Sequence, residues 1–206
     1  MDEIRGSLTV LRARDRSLSV FGAETHRYEL GRPLSDAEVK DFEQRTRIRL
    51  PLDYRAFITE LGNGGAGPYN GLFPLGLSDS GYDLTPWKEG VAVGDLRAPF
   101  PYVERWNWPP ARLTPQGYES QAEYESVIDQ YWAPPDGAFP IYHRGCALRD
   151  LLVVSGPEAG HVWYDRSAEF EGIEPIVAQD GSRVTFADWY MAWITDALRE
   201  LAPRAS

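Results

Sequence analysis

The sequence predicts an α+β fold, a single domain in which a mixed, mostly antiparallel β-sheet is packed by helices. Three observations support this class: two helix signals in the first third of the chain, three strand-like segments between residues 139 and 165, and an amphipathic helix near the C-terminus. The chain has no internal repeat, low-complexity tract or composition break that would mark a linker. Residues 1–206 are therefore expected to form one domain.

The N-terminal segment predicts two short strands that elaborate this domain. Within residues 7–21, the stretches SLTVLR and SLSVF alternate between polar and apolar side chains, and RARD between them suits a turn.

Two helices are predicted next, and each has a recognisable start. Ser35 and Glu38 have the spacing of a capping box, which predicts a helix beginning after Ser35. Pro51 suits the first turn of a second helix, because its missing N–H would have no partner there. Gly62 stands where a left-handed C-cap would end that helix.

The glycine-rich segment NGGAG, residues 63–67, comes after this second helix and before an extended segment. Phosphate-binding loops have the opposite order, since they follow a strand and open a helix. The glycines are therefore expected to provide tight turns and close packing of the backbone.

Residues 77–137 are expected to form an elaborated insertion. The region is rich in proline and tryptophan, and it predicts ordered irregular structure around short elements. Its clearest element is a helix over about residues 120–132, where Ser120 and Glu123 repeat the capping-box spacing.

The C-terminal part predicts three strands and a closing helix. The strands lie in FPIYH, DLLVVSG and HVWYD, and the last two are joined by a hairpin loop at 156–160. Leu151–Val154 is a continuous apolar run, which favours a central position in the sheet. The final helix is expected to begin after Thr185 and to end near Leu201.

Charge and cysteine content restrict the function classes. The chain has 31 acidic and 21 basic residues and a net charge of −10, which disfavours direct binding to nucleic acid or to an anionic membrane. An acidic surface suits a basic protein partner, although it also serves solubility. With one cysteine, no signal-peptide pattern and no membrane-spanning run, the protein is expected to be cytoplasmic.

The sequence provides no positive sign of catalysis, of a metal site or of a cofactor. His26, His143 and His161 are scattered, no G-x-S-x-G motif is present, and no phosphate loop is found. Cys146 has Arg144 and Arg149 nearby, but it is expected to be a buried structural thiol. We expect no enzymatic activity.

One charge pattern does point to a binding surface. No Lys or Arg occurs between Arg112 and Arg144, and the predicted helix in this interval has its acids opposite the apolar stripe. The candidate partner-binding residues are therefore Glu119, Glu123, Glu125 and Asp129, with Glu169 and Glu171 in a second acidic stretch as the next choice.

Two sequence blocks resemble the SMI1/KNR4 (SUKH) superfamily. The first is R-x-R-L-P-L-D-Y-R-A-F followed by N-G-G-x-G-P-Y-x-G-L-F-P-L. The second is GCALRDLLVVSGPEAGHVW, followed later by TFADWYMAWI. The blocks occur in the expected order, and the resemblance extends over about residues 34–201, with the region 77–136 matching poorly.

This resemblance implies a SUKH-like α+β domain and a function in protein binding without catalysis. Most bacterial members are thought to be immunity proteins that bind and neutralise a toxin domain, often a nuclease, whereas fungal relatives are scaffolds in cell-wall signalling. The chain has 19 Arg and 2 Lys, a composition common in high-GC bacteria. We therefore expect a bacterial immunity protein whose partner is a basic cognate toxin; the alternative is a scaffold or peptide-binding regulatory module.

Overall fold

Six helices and two antiparallel sheets make up the part of the chain that the computed structural model describes, residues 1–79 and 83–202. Residues 80–82, inside the predicted insertion, and 203–206, at the end of the predicted domain, lie outside it. The helices are α1 (Asp2–Arg14), α2 (Ala23–His26), α3 (Asp36–Thr46), α4 (Leu52–Glu60), α5 (Gln121–Tyr131) and α6 (Phe186–Glu200). The strands are β1 (Leu77–Asp79), β2 (Leu84–Pro86), β3 (Ala138–Gly145), β4 (Leu148–Val153), β5 (Val162–Asp165) and β6 (Ile173–Pro175).

The larger sheet has the strand order β3-β4-β5-β6, with every neighbouring pair antiparallel. Strand β4 is internal, as its continuous apolar run predicts. The hairpin formed by β1 and β2 is a separate two-stranded sheet. The predicted α+β class is therefore confirmed.

One face of the larger sheet packs against α4 and α6. Because side chains alternate along a strand, Phe139, Leu152 and Val162 project to this face and join the main core. Tyr54 of α4 packs on Phe139 with 5.6 Å between the ring centroids. The closing helix is also held at its N-terminus, because the Asp53 carboxylate accepts a hydrogen bond from the Ala187 amide at 2.9 Å.

The opposite face of the sheet is covered by the segment between β2 and β3. Leu151, Val153 and Trp163 project to this side and form a second core with Phe100. The Phe100 ring meets the Trp163 ring edge-to-face at 4.9 Å, and the Phe100 amide donates to the Ser155 carbonyl. The long segment thus folds back and covers a face that would otherwise be open to water.

The predicted N-terminal strands within residues 7–21 are wrong. Residues 7–14 belong to α1, whose buried residues Ile4, Leu8 and Leu11 lie four and three residues apart. The apolar positions of SLTVLR fit helical spacing as well as alternation, and burial of the helical face decides between the two.

The segment after α1 turns around a buried carboxylate. Asp15 accepts hydrogen bonds from the Ser19 amide at 2.7 Å, the Val20 amide at 3.0 Å and the Tyr28 hydroxyl at 2.6 Å. A carboxylate that binds successive backbone amides favours a turn over an extended strand.

Helix α4 ends at Glu60 with Leu61 as its C-cap, and Gly62, the next residue, does not have the predicted left-handed conformation. A Cβ at Gly62 would lie 2.5 Å from the Gly31 carbonyl oxygen, so this glycine permits close backbone contact instead. Gly65 has a φ of +97°, and a Cβ there would lie 2.4 Å from the Glu29 carbonyl oxygen. Close packing by the NGGAG segment is thus confirmed.

Substitution of Gly65 by alanine is expected to destabilise the fold strongly. The control is Gly160→Ala, because Gly160 has the same φ of +97° with no atom within 4 Å of the added methyl. We expect a loss of about 1 kcal/mol for Gly160→Ala and of at least about 3 kcal/mol for Gly65→Ala in urea unfolding. Equal losses would mean that backbone contact at Gly65 is not the constraint.

The Asp15 carboxylate should make stability depend on pH in the acid range. Burial alone would raise the pKa of Asp15, but hydrogen bonds from Tyr28, Ser19 and Val20 outweigh this effect and lower the pKa to about 2. Because the folded pKa lies below the unfolded value of about 3.9, this contribution is complete above the unfolded pKa and is lost as the pH falls through about 2.

We therefore expect Asp15→Asn to lose about 2 kcal/mol of unfolding free energy near pH 7. The difference from the wild type should shrink as the pH falls from about 4 to about 2. Asp41→Asn, which removes an exposed pair with Arg45, should cost less than about 0.5 kcal/mol and serves as the control. A difference between wild type and Asp15→Asn that stays constant over this range would contradict the assignment.

Candidate functional site

Helix α5 positions most of the acids that the sequence analysis selected. Ser120 is its N-cap and accepts a hydrogen bond from the Glu123 amide at 3.2 Å. The Glu123 carboxylate accepts from the Glu119 amide at 2.8 Å, one residue before the position that a capping box would use. The second capping box is thus present in a shifted form, and Glu123 contributes to the start of the helix.

The α5 carboxylates form an exposed acidic surface. Glu119, Glu123, Glu125 and Asp129 are all exposed, while Ile128 and Tyr131 on the opposite side of the helix are buried. Within the described ranges, none of these four acids forms a salt bridge with a Lys or Arg. Their charge is therefore not neutralised by a neighbouring cation.

The two acids of the second choice have a different environment. Glu169 forms a salt bridge with Arg166 at 3.2 Å, and Glu171 forms one with Arg105 at 2.9 Å. Because each is paired with a guanidinium group, they contribute less to an attractive field than the α5 acids.

A row of rings, here called the aromatic ladder, links the sheet to α5 and to the turn that carries Glu169 and Glu171. It consists of Trp163, Phe100, Tyr102, Trp106, Tyr131 and Phe170, in order of contact. Tyr131 lies between Trp106 and Phe170, with its ring centroid 6.1 Å from each. The structure therefore brings the second acidic stretch against the C-terminal end of α5.

Beside the ladder lies a groove that the sequence analysis did not predict. This sheet groove has a volume of about 800 Å³ and a mainly apolar lining that includes Pro140 and Leu151 of the sheet, with Val91 and Trp132 at its sides. Trp132 is 49% exposed, and its indole N–H donates to the Ser167 carbonyl at 3.3 Å. The only sequence signal for the groove is Trp132, which lies at the end of the predicted helix and precedes the pair Pro134 and Pro135.

The groove also contains an ionisable group with a perturbed pKa. Burial raises the pKa of Asp165, whose carboxylate accepts a hydrogen bond from the Ser167 amide at 2.9 Å. Arg149 also lines the groove, and its charge acts in the opposite direction on the same carboxyl.

Cys146 is exposed, so the prediction of a buried thiol is wrong. It lies in the two-residue turn between β3 and β4, where Cys146 has a φ of +50° and Ala147 a φ of +62°. Such a turn matches the twist of the flanking strands and directs the thiol to the surface, at the edge of the sheet groove.

The histidines occupy separate places. His26 is buried, and its Nδ1 accepts a hydrogen bond from the Tyr28 amide, while the Nε2 of His143 accepts from the Ala147 amide. In the described part of the chain, no three His, Cys, Asp or Glu side chains converge as a metal site would require. No helix among the described residues combines the length and apolarity needed to cross a membrane.

Comparison with known proteins identifies a family. No curated protein and no solved structure matches the chain. The model of the SMI1 / KNR4 family (SUKH-1) matches residues 33–181, a range that contains the larger sheet, α5 and the sheet groove. Because this match covers well over half of the chain, the protein belongs to the SMI1/KNR4 (SUKH-1) family.

Proposed function

We propose that the protein is a cytoplasmic bacterial immunity protein that binds and neutralises a cognate toxin domain. It would act by occupying part of the toxin surface, without catalysis and without a cofactor. Membership of the SUKH-1 family is consistent with this role. The observation that carries the proposal is the acidic surface of α5, whose carboxylates are exposed and have no salt bridge within the described ranges.

This surface favours a basic partner. Carboxylates that face water without a neighbouring cation raise the local negative potential and accelerate encounter with a positively charged protein. A nuclease domain, which must bind a polyanion, would carry such a charge. Direct contacts to nucleic acid or membrane are not part of the proposal, since the net charge is −10.

Helix α5 is a better candidate than the stretch with Glu169 and Glu171. The latter two are already paired with Arg166 and Arg105, so that a partner cation would have to compete with those guanidinium groups. Glu169 and Glu171 remain the second choice, because they lie close to α5. Phe170, the residue between them, contacts Trp132 at the end of that helix. The half-exposed Trp132 would supply the apolar anchor beside the charged surface.

The alternative, a scaffold or peptide-binding regulatory module, is favoured by the sheet groove. A mainly apolar groove of about 800 Å³ can accept side chains of an extended segment. The two proposals differ in the partner: a toxin encoded beside the gene for the first, and a housekeeping protein recovered repeatedly from native lysate for the second.

Coexpression tests the leading proposal directly. Each toxin-like domain encoded beside the gene is expressed with and without this protein, and growth is measured. Relief of toxicity by the wild-type chain, together with a stable complex of the two purified proteins, is the expected result. If no neighbouring toxin is neutralised, the immunity function is wrong.

The binding surface is tested by charge reversal in the same system. We use Glu119→Lys, Glu125→Lys and Asp129→Lys together and leave Glu123 unchanged, because its carboxylate supports the start of α5. The association rate with the toxin should fall on the order of tenfold or more at low salt, and the effect should fade at high salt.

The control variant combines Glu3→Lys, Asp41→Lys and Glu60→Lys, three exposed acids on α1, α3 and α4. It changes the net charge by the same amount at positions away from α5, and it also removes the exposed pair of Asp41 with Arg45. Equal slowing by both variants would indicate attraction by net charge alone, and unchanged kinetics in the folded α5 variant would place the interface elsewhere.

A further inference from the structure

A second surface feature lies on the helix-covered side of the sheet, away from α5. It is a cleft of about 260 Å³ between the segment before α2, residues 68–69 and α6, and it is called the aromatic cleft below. Its aromatic residues are Phe21, Tyr69 and Trp193. Phe21 is 70% exposed and Tyr69 39% exposed, and their rings meet edge-to-face at 4.9 Å.

The backbone holds these two rings together in an unfavourable conformation. Tyr69 has a φ of +46°, which is rare for an aromatic residue. Gly22, next to Phe21, has a φ of +82°, and a Cβ there would lie 1.7 Å from the Tyr69 carbonyl oxygen. The left-handed conformation of Tyr69 is therefore strained, because its Cβ crowds the following carbonyl oxygen.

Burial of the Phe21 ring does not explain this conformation. The Phe21 ring is mostly in water, so that the contact removes little of its apolar surface. The Tyr69 ring does pack on the buried Tyr142 ring, with 5.7 Å between the centroids, but the exposed part of the ring pair adds nothing to the core. Backbone strain beside a mostly exposed ring is typical of positions that serve binding. The exposed pair of rings is therefore a candidate recognition surface.

Carboxylates complete the cleft. Asp196 and Glu200 line it from successive turns of α6. Asp196 forms an exposed salt bridge with Arg199, whereas Glu200 has no salt bridge with any described residue. Aromatic faces next to an unpaired carboxylate attract a cation, because the ring quadrupole and the negative charge act in the same direction.

We propose that the aromatic cleft binds an arginine side chain of a protein partner. A guanidinium group is planar and weakly hydrated, so it can lie against the Phe21 or Tyr69 ring while donating hydrogen bonds to Glu200. A lysine ammonium lacks the planar shape and is more strongly hydrated, so it fits less well. This site is independent of the toxin assignment, since Phe21 and Glu200 both lie outside the residues that match the family.

The test uses N-acetyl-arginine amide as the probe and the full chain as the protein. N-acetyl-citrulline amide is the control ligand, because it is nearly isosteric and carries no charge. Titrations followed by ¹H–¹⁵N NMR should show saturable shifts of the Trp193 indole N–H and of the Phe21 and Tyr69 amides. We expect a Kd on the order of millimolar for the arginine probe and binding at least about fivefold weaker for citrulline.

Two variants locate the site. Glu200→Gln should weaken binding of the arginine probe about threefold or more and leave citrulline unaffected, whereas Glu60→Gln, at an exposed acid of α4, should change neither. Phe21→Ala removes a mostly exposed ring, so the fold should be retained while the shifts at Trp193 disappear.

Three results would overturn the proposal. The first is the absence of shifts at the cleft at probe concentrations of about 50 mM, well above the expected Kd. The second is equal affinity for arginine and citrulline, which would indicate an apolar cleft without selection of charge. The third is unchanged binding in a folded Phe21→Ala variant.

Discussion

Trp163 lies in the sheet face opposite α4 and α6, and the edge-to-face contact with Phe100 covers it. A four-stranded sheet with apolar side chains on both faces requires a cover on each side. The helices supply one cover, and the long segment between β2 and β3 supplies the other. Trp163 has no exposed surface, so this contact excludes water from the centre of the second face.

The position of the candidate binding surface follows from that cover. The aromatic ladder continues from Phe100 to Tyr131, and the Tyr131 hydroxyl donates to the Asn107 side chain at 2.7 Å. Helix α5 is short, so its position depends on tertiary contacts. The ladder contacts of Tyr131, together with the burial of Ile128, connect it through the cover to the sheet. At the edge of this cover, Trp132 and Leu151 line the sheet groove.

Local sequence signals predicted the elements well where one pattern dominated. The capping residues Ser35, Ser120 and Thr185 each precede a helix, as expected. The N-terminal segment failed because SLTVLR fits both strand and helix spacing, and only the tertiary burial of Leu8 and Leu11 decides between them. Exposure of the α5 acids was predictable from the position of the apolar stripe.

Features made by segments distant in sequence could not be predicted in this way. The sheet groove combines residues near 91, 132 and 151, and the aromatic cleft combines residues near 21, 69 and 193. The pairing of Glu171 with Arg105, 66 residues away, likewise depends on the fold of the insertion. The exposed position of Cys146 depends on a two-residue turn with positive φ that its sequence does not indicate.

Native-state hydrogen exchange of the α5 amides tests most directly whether the aromatic ladder fixes α5 on the sheet. Tyr131→Leu should lower the protection of these amides about tenfold or more, because it removes ring contacts and a hydrogen bond. The matched variant Phe186→Leu, on the helix side of the sheet, should lower the protection of β4 amides about tenfold and leave α5 unchanged. Unchanged α5 protection in Tyr131→Leu, or an equal loss at α5 in both variants, would contradict the account.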